Sequence, residues 1–234
     1  MKKISFILIA FLILACGEKK HDLIVKTNIK GLKKGTVYLK KVKDTTLITI
    51  DSLVINGNSM FELYSPIDSP EMFYLYLDKH SSEKDRIAFF ADRGVTEINT
   101  TLKNFVFDAK IEGSEQQKIL EAYQAVISKL NNRNLDLIKE LFDAQKEGDT
   151  AKLNTIQKEA DGALKRKYLY TVNFALNNKD SEVAPYLALT EIYNAQIKLL
   201  DTINNSLTPK VKASKYGKEL ESFIEKIKKV EETN

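Results

Sequence analysis

The sequence predicts an α+β fold: an N-terminal antiparallel β-sandwich or curled sheet, followed by a C-terminal all-α region with a long helical hairpin. Three observations carry this reading. Apolar residues alternate from Leu23 to about Ile111, the period lengthens to that of a helix at Gly113, and two narrow-striped helical patterns meet at Glu147-Gly148-Asp149.

Leu23, Val25, Thr27 and Ile29 alternate with mostly polar residues, and Gly31 to Gly35 supplies turn chemistry before Val37 and Leu39 resume the pattern. This spacing predicts a hairpin. Strands follow at Leu47 to Ile55 and at Met60 to Tyr64, and the Asn56-Gly57 dipeptide between them predicts a tight hairpin turn. Met72 to Leu77 and Ile87 to Ala91 are apolar on both faces, as expected of central strands covered from two sides. Glu97 to Leu102 and Phe105 to Ile111 alternate again, which brings the expected total to about eight strands.

At Ser114-Glu-Gln-Gln117 a capping box is expected, with the serine oxygen accepting an orphan amide and Gln117 reaching back. Ile119, Tyr123, Val126, Leu130, Leu137 and Leu141 then form one helical stripe, with Asn131 to Asn134 as the expected bend. Asp149 caps a second helix with the stripe Leu153, Ile156, Ala160, Ala163, Tyr170 and Phe174. The two would pair as an antiparallel hairpin. Ser181 to Asn204 reads as one broadly apolar helix with Pro185 in its first turn, in which Tyr193 is expected to be buried. Thr208-Pro209 starts another, and the last runs from about Tyr216 to Val230.

The N-terminus reads as a targeting segment. Lys2 and Lys3 precede an apolar run, Ile4 to Leu14, that is too short to span a bilayer comfortably. The run ends Ile13-Leu14-Ala15-Cys16-Gly17, which resembles a lipobox, although Ile13 and Leu14 depart from its commonest residues. The resemblance implies a lipid on Cys16 after cleavage. The expected organisation is a signal peptide at 1–15, a lipidated tether at 16–22, a β domain at 23–113 and a helical region at 114–234. No Asp follows Gly17, which in the sorting pattern this segment resembles implies the outer membrane, facing the periplasm.

Composition narrows the functional classes. Hydrophobic content of 43% and charged content of 29% suit a packed core rather than disorder. The formal charge is +4, and Met1 to Ala15 holds two of the lysines and no acid, so the rest is nearly neutral with bases and acids interspersed. No nucleic-acid partner is expected from such a pattern. Cys16 is the single cysteine, so once acylated it leaves no thiolate nucleophile, internal disulfide or thiolate metal site.

Motifs for chemistry are equally sparse. The two histidines are His21, in the tether, and His80, beside Asp78, Glu83 and Asp85 in a mixed-charge loop without metal-ligand spacing. There is no Gly-x-Ser-x-Gly elbow, no phosphate-binding glycine loop and no tryptophan. No catalytic, cofactor-binding or metal-binding residue is therefore expected.

The order of features resembles a family. The segment Ile29-Lys-Gly-Leu-Lys-Lys-Gly-Thr-Val-Tyr-Leu39, the Asp51-Ser52 strand, Phe73-Tyr-Leu75 and Phe89-Phe90 are similar to a DUF4369-type domain of Bacteroidetes-type lipoproteins. Ser181 to Leu187 and Ser214 through Lys229 resemble the helical segment that leads, in many members, into a thioredoxin-like module of ResA-like or peroxiredoxin-like thiol:disulfide oxidoreductases. The Cys-x-x-Cys pair of that module is not found here, so no active-site residue carries over. Two expectations result: a non-catalytic envelope lipoprotein that binds or scaffolds a protein partner or a second copy, and, as the alternative, an accessory component of periplasmic thiol:disulfide exchange. Leu135, Ile138 and Phe142, on the face beside the hairpin seam, are the candidate partner-binding residues.

Overall fold

A computed structural model describes residues 22–78 and 85–233. Its strands are β1 (Leu23–Lys30), β2 (Lys34–Lys43), β3 (Thr46–Asn56), β4 (Met60–Ser65), β5 (Glu71–Tyr76), β6 (Arg86–Ala91), β7 (Gly94–Thr101) and β8 (Lys110–Glu112). Its helices are α1 (Glu115–Glu147), α2 (Thr150–Asn177), α3 (Val183–Glu191), α4 (Ile197–Ser206), α5 (Pro209–Lys212) and α6 (Lys215–Thr233). An N-terminal sheet region followed by helices is thus the observed α+β arrangement.

The strands form two four-stranded sheets, β4-β1-β7-β8 and β3-β2-β5-β6. Alternation explains their packing: Leu23, Val25 and Ile29 of β1, Leu63 of β4 and Ile98 of β7 share one core with Val37, Leu39, Phe73, Leu75, Ile87 and Phe89 of the second sheet. The expected β1–β2 hairpin does not form. The two strands enter different sheets so that both apolar faces meet, with Gly31 turning at φ 94° and Leu32 buried beneath. Gly57 likewise turns at φ 91°, but it carries the chain from β3 in one sheet to β4 in the other, and its amide donates to Lys33 O at 2.8 Å. The first sheet is mixed rather than antiparallel, because β1 and β7 run parallel from Leu23↔Gly94 to Lys30↔Thr101.

Other expectations need correction. Residues 103–108 are turn, and only Lys110–Glu112 of the expected last strand is extended, because Phe105 leaves the alternation to plug the core. β6 is an edge strand, not a central one; Ile87, Phe89 and Ala91 are buried on one face, whereas on the other Phe90 is buried and Ala88 exposed. The weak helix formers Asn131 to Asn134 lie within α1 and do not break it. The expected helix from Ser181 to Asn204 is two helices, because the backbone turns after Ile192, where Ala195 N donates to Ile192 O. Tyr193 lies in that turn and is exposed.

The helices cover the outer face of the second sheet. Met72 and Phe90 pack there against Leu120, Tyr123, Val183, Leu187 and Tyr216. Two backbone amides beneath this layer find side-chain partners: Met72 N donates to Tyr216 Oη at 3.1 Å and Phe90 N to Gln117 Oε1 at 2.8 Å. Gln117 therefore reaches the sheet instead of turning back to complete a capping box, while its own amide donates to Ser114 Oγ as expected. Glu71, almost fully buried, accepts Lys41 Nζ and Lys215 Nζ at 2.7 Å each, which ties the start of α6 to the sheet. Among the described residues, the four apolar clusters take their members from residues 23–227, so this part of the chain carries packed cores of its own.

The stripe of α1 keeps Tyr123 and Leu137 but moves on by one residue at Ile119 and Val126. Leu120, Tyr123, Ile127, Leu137 and Ala144 are buried, whereas Val126 is 40% exposed and Ile119 only partly covered. Ile127, at 5% exposure, is the test position. Ile127→Asp should destabilise the fold by about 3 kcal/mol or more through an unpaired buried charge, and Val126→Asp by no more than about 0.5 kcal/mol. Denaturant titration of the two variants checks this; equal losses would contradict the shifted register.

Candidate functional site

The helical hairpin begins on the sheet and extends past it. At the base, the Tyr123 hydroxyl and Thr171 Oγ1 lie 2.8 Å apart, and Tyr123 stacks on Tyr170 while Phe174 meets it edge-on. Burial pushes the Tyr123 hydroxyl well above the ordinary phenol range, so it stays protonated as a hydrogen-bonding group. Beyond the base, the seam thins to Leu137, Ala144, Ile156 and Ala163, with Leu141, Leu153 and Ala160 at its margins. Arg133 bridges the helices by binding Glu140 and Glu159, each at 2.9 Å. The turn is closed by Gly148 at φ 69° and by Asp149, which accepts Lys152 N at 2.9 Å.

Leu135, Ile138 and Phe142 lie on this distal part and are 64%, 61% and 59% exposed. Their position on the helix explains why that matters. Leu120 and Ile127 are seven residues apart, Ile138 follows eleven later and Phe142 four after that, spacings that return to one side of a helix. At the base that side is buried against the sheet and α3. In the distal half it continues as an uncovered apolar strip. Leu164 of α2 is a further exposed apolar residue on the hairpin, and the sequence reading missed it because it stands outside the stripe. Lys146 Nζ lies 4.6 Å over the Phe142 ring, a cation–π contact that leaves the ring edge open.

A second constellation was not anticipated. The first amides of α1 point at the β6–β7 turn, where Asp92 Oδ2 accepts Glu115 N at 2.9 Å. Glu182, before α3, accepts Gln116 Nε2 at 2.8 Å, and Ser181 Oγ donates to Gln116 Oε1 at 2.5 Å. No local motif could have revealed a pairing of residues 66 apart in sequence. Burial raises both carboxyls above the ordinary carboxylate range; amide donors to Asp92 oppose the rise, and Asp92's charge adds to that of Glu182. The cluster fastens two helix starts to one sheet turn.

The outer face of the first sheet holds a shallow groove of about 350 Å³, where Lys26 stands between Glu62 and Glu97 across the ladder. Its nearest charge pair is loose, at 3.9 Å. Among the described residues no group of three or more His, Cys, Asp and Glu side chains could hold a metal ion. His80 and Glu83 of the loop considered from sequence, and Cys16, lie outside the described residues.

A carboxyl whose folded pKa is raised binds its proton more tightly in the folded state, so stability falls as pH rises through the window above its unfolded value. Replacing Asp92 with Asn and Glu182 with Gln keeps an acceptor oxygen and removes the charge. The double variant should therefore melt higher than the parent at neutral pH, with the gap narrowing as pH falls through the carboxylate range. Thermal melts across that range check the sign, and a gap independent of pH would count against the perturbed pair.

Residues 23–120 match the family model described as a domain of unknown function (DUF4369). The match takes in all eight strands and the first turns of α1, whereas the resemblance read from sequence ran on into the last helix. No curated protein and no solved structure matches the chain. The chain therefore carries an N-terminal DUF4369 domain at residues 23–120.

Proposed function

We propose that the protein is a non-catalytic envelope lipoprotein, anchored to the outer membrane through Cys16, that uses its helical hairpin to bind a protein partner or a second copy. The observation that carries this reading is the strip of Leu135, Ile138 and Phe142, an apolar helix side that is buried at the base of α1 and uncovered in its distal half. Apolar side chains aligned on one side of a long helix fit a helix-to-helix contact, since removing them from water returns about 25 cal/mol per Å² of apolar area. The lipid expectation is supported by Lys2-Lys3, the apolar run and Ala15-Cys16. No helix among the described residues is long and apolar enough to cross a membrane, so a Cys16 lipid would supply the attachment under this reading.

Two experiments bear on the two halves. Cys16→Ser should abolish incorporation of labelled lipid and move the protein from the membrane to the soluble fraction; continued labelling would falsify the anchor. Leu135→Glu, Ile138→Glu and Phe142→Glu should each change stability by no more than about 0.5 kcal/mol, because the sites are exposed. They should nevertheless remove a crosslinked partner or a dimer seen with the parent protein. Loss of folding at all three positions, or crosslinking unchanged in a triple variant, would defeat the binding-arm reading.

A further inference from the structure

One end of the sandwich is built from three connections: residues 31–33 between β1 and β2, residues 57–59 between β3 and β4, and residues 102–109 between β7 and β8. They are tied together, since Leu102 N donates to Lys30 O at 3.0 Å and Gly57 N to Lys33 O at 2.8 Å. The third connection is held by its own polar groups. Thr101 Oγ1 donates to Asp108 Oδ2 at 2.6 Å, Asp108 N to Asn104 O at 2.9 Å, and Thr100 Oγ1 to Phe105 O at 2.7 Å. Phe105 is anchored in the core at 7% exposure. Two residues on, Phe107 is 94% exposed.

An ordered loop that holds a phenyl ring in water forgoes the burial such a ring ordinarily gains. Its surroundings show what would take it up. Leu102 and Val106 beside it are also exposed, and Lys30, Lys33, Lys34 and Lys103 lie at the same end. None of these four lysines has an ion-pair partner among the described residues. The one acid in these connections, Asp108, is engaged by Thr101 and Asn104. Uncompensated positive charge around a protruding aromatic complements a surface that is anionic outside and apolar just beneath.

We propose that the Phe107 tip, with Lys30, Lys33, Lys34 and Lys103, docks on an anionic phospholipid membrane surface, the ring entering the acyl boundary while the ammonium groups stay among the headgroups. A convex end with one fixed ring suits a deformable surface, and long lysine side chains let the charges remain in the headgroup layer. The proposal does not depend on a lipid at Cys16. The tip lies at the opposite end of β1 from Leu23, so it would be a second attachment about 23 Å away, at about 3.3 Å per strand step.

The sequence has no tryptophan, so Phe107→Trp places a unique reporter at the tip. The variant of residues 22–234 is mixed with vesicles of phosphatidylcholine alone or with phosphatidylglycerol added. Tryptophan emission should shift to the blue and be quenched by brominated acyl chains only with phosphatidylglycerol, and the effect should fade at high salt. Lys33→Glu with Lys34→Glu should weaken vesicle binding about tenfold or more. Phe107→Asp should weaken it comparably, and neither change should alter the melting temperature. Emission that stays water-like at every vesicle concentration would overturn the proposal and leave an acidic protein surface as the occupant; vesicle binding unchanged in Phe107→Asp would overturn it too.

Discussion

The second sheet is apolar on both faces, and the sandwich can bury only one of them. Phe73, Leu75, Ile87 and Phe89 point into the shared core, while Met72 and Phe90 point the other way. Leaving that outer layer in water would forfeit about 1.5–3 kcal/mol per large side chain. The helical region is arranged around this constraint: α1, α3 and α6 each contribute a side chain to the cover, so none can leave without exposing it. The cover also has to settle polar groups. Tyr216 lies across Phe90 and accepts the Met72 amide; its hydroxyl is raised far above the ordinary phenol range by burial, as that of Tyr186 beside it is pushed up to about 12. Glu71 neutralises one of two lysines drawn beneath the same edge, and Lys215 Nζ uses a further bond to Val42 O at 2.6 Å.

This constraint divides the hairpin into two parts with different jobs. Near the sheet, α1 is held from three directions: its Gln117 bonds Phe90 of β6, Asp92 accepts an amide at its start, and its Tyr123 bonds Thr171 of α2. Farther out, among the described residues, α2 alone accompanies it, through a seam of leucine, isoleucine and alanine and the Arg133 bridge. Since α1 has 33 residues, it is about 50 Å long and outruns its cover. A rigid base and a partly clothed arm are what a protein needs to hold an apolar strip at a distance from its own core.

Much of this was legible in the sequence where the signal is local. The change of period at Gly113, the serine cap at Ser114 and the Gly148-Asp149 turn each depend on residues within a few positions of one another, and each formed as read. Pairing was not legible. Asn56-Gly57 names a turn but not whether the next strand joins the same sheet, and alternation in β1 and β2 is satisfied equally by a hairpin or by two facing sheets. The one-residue shift from Val126 to Ile127 has a similar origin, because at the base the helix must face a sheet and α3 as well as α2, which widens and rotates the buried side. Among site residues, Leu135, Ile138 and Phe142 could be picked out as an extra face. Asp92 with Glu182, and Phe107, could not, since their significance lies in what folding brings beside them or leaves uncovered.

The placement of β1 has a mechanical consequence. It is the strand that leaves the N-terminal segment, yet it is an inner strand, bonded to β4 on one side and to β7 on the other along nearly its whole length. Its ladder bonds lie across the strand direction in the antiparallel pair and slanted in the parallel one. A pull applied through residue 22 along β1 therefore loads two rows of bonds in shear together, rather than peeling them open singly. A tug at that end would meet the sheet in its stiffest direction, so a tether there could transmit tension to the helical arm without first unravelling the strand that carries it.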